Sequence, residues 1–135
     1  MNLTIKQALQ KGIEAHKEGN LQEAERLYRT ILQYQPSHPD ANHNLGVLAV
    51  SVNKNDAALP LFKTALEGKP KTEQFWLSYI DALIKTEKFD DAKKFLVDAS
   101  QTGVAIAKLQ IFEKQLQAKL SSSSDKTQQE FGNQF

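Results

Sequence analysis

The chain has 135 residues, of which 40% are hydrophobic and 24% charged, and its formal net charge is +1. We therefore expect one soluble domain without the strong field that attracts nucleic acid or an anionic membrane. The absence of cysteine excludes disulfides, thiolate catalysis and cysteine-based zinc sites. No run approaches the ~20 apolar residues of a membrane span, and the start of the chain lacks a secretory core, so we expect a cytoplasmic protein.

Two helices joined by a tight turn are predicted at the start of the chain. Thr4 followed three residues later by Gln7 has the pattern of a capping box. Small and apolar residues then recur at three- and four-residue steps, which is typical of an amphipathic helix. Gly19 and Asn20 tolerate the left-handed backbone of a helix exit. Pro36 ends the second helix because the residue before proline is pushed out of helical geometry.

The same pattern returns in a second unit. Ser37 or His38 is the predicted cap, and Pro39 takes the first helical position, where its missing N–H has no consequence. Asn53 stands where Gly19 stands in the first unit. Pro60 falls early in the following helix, where it removes one backbone hydrogen bond and predicts a slight kink.

A third unit runs from a predicted cap at Thr72 to a left-handed stop at Gly103. A seventh helix is predicted over residues 104–120, with one apolar and one polar face. A terminal helix of this kind covers the last hydrophobic surface of a stack. Residues 121–135 are polar and contain a run of four serines, so we expect a disordered tail or linker there.

A fixed interval links the three units. Ala24, Ala58 and Ala92 are spaced by 34 residues, and the same interval separates Pro36 from Pro70. A constant period in this range indicates stacked helix–turn–helix units. Larger residues follow the three alanines at one offset, and small or apolar residues at another: Tyr28, Phe62 and Leu96, then Ile31, Ala65 and Ala99.

This pattern resembles the tetratricopeptide repeat, which has an aromatic residue, Leu-Gly and Tyr in its first helix, then Ala, Phe, Ala and a closing Pro. The resemblance implies an all-α, right-handed superhelical stack of three repeats with a C-terminal capping helix. The predicted divisions are repeat 1 (4–37), repeat 2 (38–71), repeat 3 (72–103), the capping helix (104–120) and the tail (121–135). The matching residues are Gly12, Ala24, Tyr28 and Pro36, then Leu45, Gly46, Ala58, Phe62, Ala65 and Pro70, then Trp76, Ala92 and Ala99.

The sequence departs from the repeat pattern at a few positions. Ala8 and Asn42 replace the aromatic residue, Ile80 replaces the small residue, and Val104 replaces the last proline. Where the pattern holds, glycine and alanine are small because two helices cross closely, and the larger residues fill the space between units. Trp76 is therefore predicted to belong to the core rather than to stack on a ligand.

The resemblance also implies that the first helix of each pair lines a concave face. Gln10, Asn44 and Ser78 lie one period apart and predict a polar row that grips the backbone of an extended peptide; the alternative is that they are merely solvated. The stretch around Asn44 is similar to the repeats that precede O-linked sugar transferases. The predicted partner-binding residues are Lys6, Leu9, Gln10, Ile13, Lys17, Asp40, His43, Asn44, Val47, Ser51, Gln74, Leu77, Ser78 and Asp81, with Lys85 beside them.

The family's grip on acidic peptide tails uses basic residues and asparagines, and most of these are missing. Leu9 and Ile13 occupy two of the places, Gln74 and Ser78 replace cations, and only Asn44 is kept. An apolar strip between isolated charges remains. We therefore expect the face to bind a peptide or partner helix with some apolar character.

Nothing in the sequence indicates catalysis, and we expect neither a cofactor nor a metal. His38 and His43 lie five residues apart on different helical faces, and no nucleophile elbow, phosphate loop or HExxH motif occurs. The lysines of the middle region alternate with acidic residues, which is typical of a solvated surface rather than an RNA site.

We therefore expect a monomeric protein-interaction scaffold that binds a protein or peptide, and neither nucleic acid nor membrane. One alternative is the N-terminal substrate-docking segment of a larger transferase. A further possibility is a homodimer formed through the C-terminal helix.

Overall fold

The computed structural model describes the backbone of residues 2–132 and the side chains of residues 2–122. Every regular element in this part of the chain is a helix and none is a strand, so the all-α prediction is confirmed. The helices are α1 (Ile5–Lys17), α2 (Leu21–Tyr34), α3 (Pro39–Ser51), α4 (Asn55–Gly68), α5 (Glu73–Lys85), α6 (Phe89–Thr102) and α7 (Ile106–Gly132).

The first six helices form three hairpins, α1 with α2, α3 with α4 and α5 with α6, and successive hairpins stack through α2–α3 and α4–α5. Helix α1 contacts α3, and α3 contacts α5. Within the described residues α2 and α4 make no such contact, nor do α4 and α6. The first helices of the hairpins are therefore closer together than the second helices, which makes their side the concave one. We call this side the inner face.

The first helix of each hairpin follows its predicted cap, and two of the three capping side chains accept a hydrogen bond from the first turn. The Thr4 hydroxyl accepts from the Gln7 N–H at 3.0 Å, and Gln7 Oε1 accepts from the Thr4 N–H at 2.9 Å. The cap of α3 is His38, whose Nδ1 accepts from the Ala41 N–H at 3.1 Å. Thr72 precedes α5 as predicted, but its side chain makes no capping hydrogen bond.

The turns inside the three hairpins share one backbone conformation. Gly19, Asn53 and Glu87 lie 34 residues apart and have φ values of 80°, 65° and 61°. The left-handed turns at Gly19 and Asn53 were predicted, and the third was not. The period therefore fixes the backbone of the turn even where the residue, Glu87, is an unfavourable one for it.

The close crossing inside each hairpin is confirmed. A Cβ added to Gly12 would lie 2.6 Å from Tyr28 Cε1, and one added to Gly46 would lie 2.7 Å from Phe62 Cδ1. In the third hairpin Ile80, which is fully buried, replaces the glycine, and Leu96 replaces the ring. The sizes of the two crossing residues therefore change together.

Helices α3 and α5 share a hydrogen bond near their first turns, from a buried side chain to the carbonyl of the preceding proline. Trp76 is buried, as predicted, and its Nε1–H donates to the Pro70 carbonyl at 2.7 Å. One period earlier Asn42 is also buried, and its Nδ2 donates to the Pro36 carbonyl at 3.0 Å. Asparagine thus keeps the hydrogen bond of the aromatic residue that it replaces.

Helix α7 covers the end of the stack. Leu109 and Leu116 are buried in the core cluster that contains residues of α5 and α6. The Ala105 N–H donates to Glu73 Oε2 at 3.2 Å, and Lys108 forms a salt bridge with Glu73. Gln110 and Lys114 lie one period after Trp76 and Ile80, which pack against the second helix of the third hairpin, and both are exposed. The polar side of α7 is therefore the one that would face a fourth hairpin partner.

Helix α7 also differs from its prediction in length. It begins at Ile106 and continues to Gly132, whereas the sequence predicted a helix ending at Leu120 and a disordered tail or linker beyond it. Extending an existing helix requires no new nucleus, and lysine, glutamine and glutamate in this segment favour helix. Residues 133–135 of the predicted tail lie outside the described residues.

Candidate peptide-binding groove

The inner face is built by α1, α3 and α5, which carry the predicted partner-binding residues. Because α1, α3 and α5 are the first helices of successive hairpins, side chains spaced by 34 residues lie on adjacent helices of the inner face. The exposed members are Lys6, Gln10, Lys17, Ser51 and Gln74, with Lys85; the partly exposed members are Leu9, Ile13, Asp40, Asn44, Val47, Leu77, Ser78 and Asp81; His43 is buried.

A cavity of about 250 Å³, here called the inner cavity, lies between α1 and α3. Ile13 and Val47 give it an apolar lining, and Lys17 and Asn44 place polar groups beside that lining; these four residues were predicted. Two further lining residues, His16 and Tyr28, were not predicted.

Tyr28 reaches the inner cavity from α2 because Gly12 has no side chain to block it. The Tyr28 ring packs against the Gly12 backbone and is itself buried. This burial raises the pKa of the Tyr28 phenol. The signal available in the sequence was the Gly12–Tyr28 pair itself, since a ring packed over a glycine extends to the far side of the helix.

The predicted polar row is present on the inner face without a continuous chain of hydrogen bonds. Gln10 Nε2 donates to Glu14 Oε1 at 3.3 Å, and Gln74 Nε2 donates to Ser78 Oγ at 3.2 Å. Asn44 Oδ1 lies 3.4 Å from a ring nitrogen of His43. The Asn44 NH₂ group has no hydrogen-bond partner in the described part of the chain, so it is available to a peptide carbonyl.

His43 was predicted to be a partner-binding residue, but its ring is buried rather than exposed on the groove. It is 8% exposed, its ring stacks on Phe75 with centroids 4.6 Å apart, and its Nε2 lies 2.8 Å from Ser78 Oγ. Burial lowers the pKa of His43, against weaker opposing effects of Asn44 and Asp40. The residue therefore connects α3 to α5 beneath the inner face.

The charges of the inner face are only partly neutralised. Asp40 pairs with Lys69 at 3.4 Å, and Asp81 pairs with Lys85 at 2.8 Å. Lys6 and Lys17 have no acidic partner within 4.0 Å among the described residues. The α1 end of the groove is therefore positive and favours an acidic group on a ligand.

The described residues contain no group of three or more His, Cys, Asp or Glu side chains that is placed to hold a metal ion. His38 is used to cap α3. None of the helices in the described ranges has the length and apolar character required to cross a membrane.

The fold defines a helical-repeat protein. Two family models described as tetratricopeptide repeat match the sequence, one at residues 9–51 and the other at residues 49–110. The chain belongs to the tetratricopeptide repeat family, whose members serve as protein-interaction scaffolds and are generally not catalytic.

Solved structures share this architecture. The Sgt2 tetratricopeptide domain from Aspergillus fumigatus has 15% sequence identity and a TM-score of 0.77, over 90% of this chain and 82% of that chain. The TPR2B domain of yeast Sti1, in complex with pHsp70, has 14% identity and a TM-score of 0.76, over 85% and 97%. An O-GlcNAc transferase of Thermobaculum terrenum has 23% identity and a TM-score of 0.66, over 73% of this chain but 19% of that chain. At these identities the likeness concerns the fold alone. None of the curated protein sequences matches the chain.

Proposed function

We propose that the protein is an interaction scaffold that binds a peptide or a partner helix on its inner face and has no catalytic activity of its own. The observation that carries this proposal is the inner cavity, in which Ile13 and Val47 offer apolar surface beside Lys17. The complex of the yeast Sti1 domain with pHsp70 supports a peptide as the kind of ligand that this fold accommodates.

The chemistry of the groove defines the ligand. An apolar side chain of the peptide fills the inner cavity, and an acidic residue next to it pairs with Lys17. The Asn44 amide donates to the peptide backbone, which fixes the peptide without reading its sequence. One cavity and a few polar contacts correspond to a micromolar dissociation constant, or about −8 kcal/mol.

A selection of random peptides displayed on phage tests this proposal. Peptides selected on the parent chain are measured by calorimetry against Val47→Asp, which places a charge in the inner cavity. We expect binding to weaken by at least about tenfold, because the carboxylate removes apolar lining and competes with the acidic group of the peptide for Lys17. Val97→Asp, at an exposed valine of α6 that is 58% exposed, is the matched control and should leave binding unchanged. Equal binding by parent and Val47→Asp would contradict the proposal.

The alternative is that the chain is the N-terminal substrate-docking segment of a larger transferase. The structural likeness to part of the Thermobaculum terrenum O-GlcNAc transferase favours this possibility. The length of the native open reading frame distinguishes the two, because only the alternative requires a catalytic domain downstream of residue 135.

We further propose that the protein is cytoplasmic and that it is a monomer. The exposed Gln110 and Lys114 support the monomeric state, because they occupy the side of α7 on which another helix would pack. Sedimentation velocity over a hundredfold concentration range tests the oligomeric state. A single monomeric species is expected, and a dimer that loses stability in Lys114→Glu would favour pairing through α7 instead.

A further inference from the structure

A second groove lies away from the inner face, between α2 and α4, with α3 as its floor. Its volume is about 430 Å³, within the range of about 300–1,000 Å³ that is common for ligand sites. We call it the outer groove. Its apolar lining includes Leu45 and Leu48 of α3, Val52 directly after α3, and Pro60 and Leu61 of α4. Val52 is 41% exposed at the rim, so the apolar surface is accessible from solvent.

The repeat itself shows what fills this space elsewhere. One period further along the chain, Leu45 corresponds to Tyr79 and Leu61 corresponds to Phe95. These two rings meet edge to face with their centroids 4.8 Å apart, and Tyr79 is buried. One repeat later an aromatic pair from α5 and α6 thus stands at the positions of Leu45 and Leu61, whereas the smaller residues of α3 and α4 leave the outer groove open.

The rim of the outer groove adds a charge preference. Glu25 and Arg29 both line the groove and pair with each other at 3.0 Å, so they neutralise one another. Lys54 lines the opposite side and has no acidic partner within 4.0 Å among the described residues. A ligand that carries a negative charge near its apolar group therefore gains an interaction there.

We propose that the outer groove binds an aromatic side chain of a partner protein, presented next to an acidic residue that pairs with Lys54. The ring takes the place that Tyr79 and Phe95 fill in the following repeat. This surface is distinct from the inner face, so one chain holds two protein segments at once. The proposal does not depend on the function proposed for the inner face.

The probes are two capped tripeptides, acetyl-Asp-Phe-Asp-amide and acetyl-Asp-Ala-Asp-amide, added to the ¹⁵N-labelled full chain. With the phenylalanine peptide, we expect saturable changes in the amide shifts of Leu48, Val52 and Ala57. The alanine peptide should bind at least roughly tenfold more weakly, because it buries no ring. Equal binding of both peptides, no saturable shift, or shifts confined to the inner cavity would overturn the proposal.

Three variants locate the site. Ala57→Trp fills the groove from its exposed rim without altering the core and should abolish binding of the phenylalanine peptide. Lys54→Glu should weaken it several-fold, while Lys63→Glu, an exposed lysine of α4 that does not line the groove, is the control and should not. Val47→Asp should also leave this binding intact, which separates it from the inner face. Undiminished binding by Ala57→Trp would overturn the proposal.

Discussion

His43 shows how one side chain can connect two repeats. Its ring lies between the phenylalanines of α4 and α5, with centroid distances of 5.5 Å to Phe62 and 4.6 Å to Phe75. Its Nε2 meets Ser78 Oγ across the boundary between α3 and α5. Only the neutral ring suits this apolar setting, and burial accordingly lowers the pKa of His43 below its usual value of 6.5.

This burial predicts how stability depends on pH. Between the lowered folded pKa of His43 and 6.5, the unfolded chain binds a proton that the folded chain does not. The contribution of His43 to the free energy of unfolding is therefore fully present above pH 6.5, and it decreases as the pH falls through that window. Urea denaturation of the parent and of His43→Gln at pH 7.5 and pH 5.5 measures the effect. The parent should lose more stability between the two pH values than the variant, and an equal loss would contradict the assignment.

Glu87 has a left-handed backbone conformation, which is unfavourable for glutamate. Its φ of 61° is the conformation that Gly19 and Asn53 adopt with less strain one and two repeats earlier. We expect Glu87→Asn to raise the free energy of unfolding by roughly 0.5–1 kcal/mol, since the left-handed conformation costs an ordinary residue about 1–2 kcal/mol and asparagine less. The same change at Glu113, exposed within α7, is the control and should be slightly destabilising. Thermal melts of both variants measure the difference, and an unchanged or lower Tm for Glu87→Asn would show that the turn is unstrained.

At the scale of helices, each hairpin is defined by one crossing of a small residue and a large one. Two hairpins combine glycine with an aromatic ring, and the third combines Ile80 with Leu96. Side chains in protein interiors pack as closely as molecules in organic crystals, so enlarging one residue requires a smaller or differently shaped partner. The packing at this crossing therefore depends on the pair of residues rather than on either residue alone.

A double-mutant cycle tests this interpretation. Gly46→Ile alone should lower the free energy of unfolding by about 1–3 kcal/mol, because its Cβ would overlap the Phe62 ring. Adding Phe62→Leu reproduces the residue types of the third crossing and should recover part of that loss. Denaturant titrations give the coupling energy, which we expect to be favourable by about 0.5–3 kcal/mol. Additive losses would show that the two side chains do not compensate.

Helix α7 stabilises the stack through its apolar side. Leu109 is 2% exposed within the cluster shared with α5 and α6, whereas Ile111 is 59% exposed on the other side of the helix. Leu109→Ala should therefore cost about 2–5 kcal/mol. Ile111→Ala, the matched control, should remain within about 0.5 kcal/mol of the parent in the same denaturant titration. Similar values for the two variants would mean that α7 is not a structural cap.

For the whole molecule, the 34-residue period predicted the hairpins, their crossings and two of the three left-handed turns. The turn at Glu87 was missed because glutamate gives no local signal for that conformation. The extension of α7 beyond Leu120 was missed because the four serines indicate a flexible segment, whereas helix propagation depends on the residues before and after them.

The candidate site was predicted less completely, for a different reason. The family resemblance implies that Ile13, Asn44 and Val47 lie on the inner face, but it does not say which side chains enclose a cavity. Tyr28 enters from a second helix, and His43 turns inward onto aromatic rings that are remote in sequence. Such contacts depend on how hairpins are displaced relative to one another, and a linear pattern does not contain that displacement.

A crystal structure of the chain with a phage-selected peptide tests the central claim most directly. We predict that the peptide lies along α1, α3 and α5, with an apolar side chain in the inner cavity between Ile13 and Val47 and an acidic group near Lys17. A peptide bound only elsewhere, with the inner cavity empty, would contradict the account.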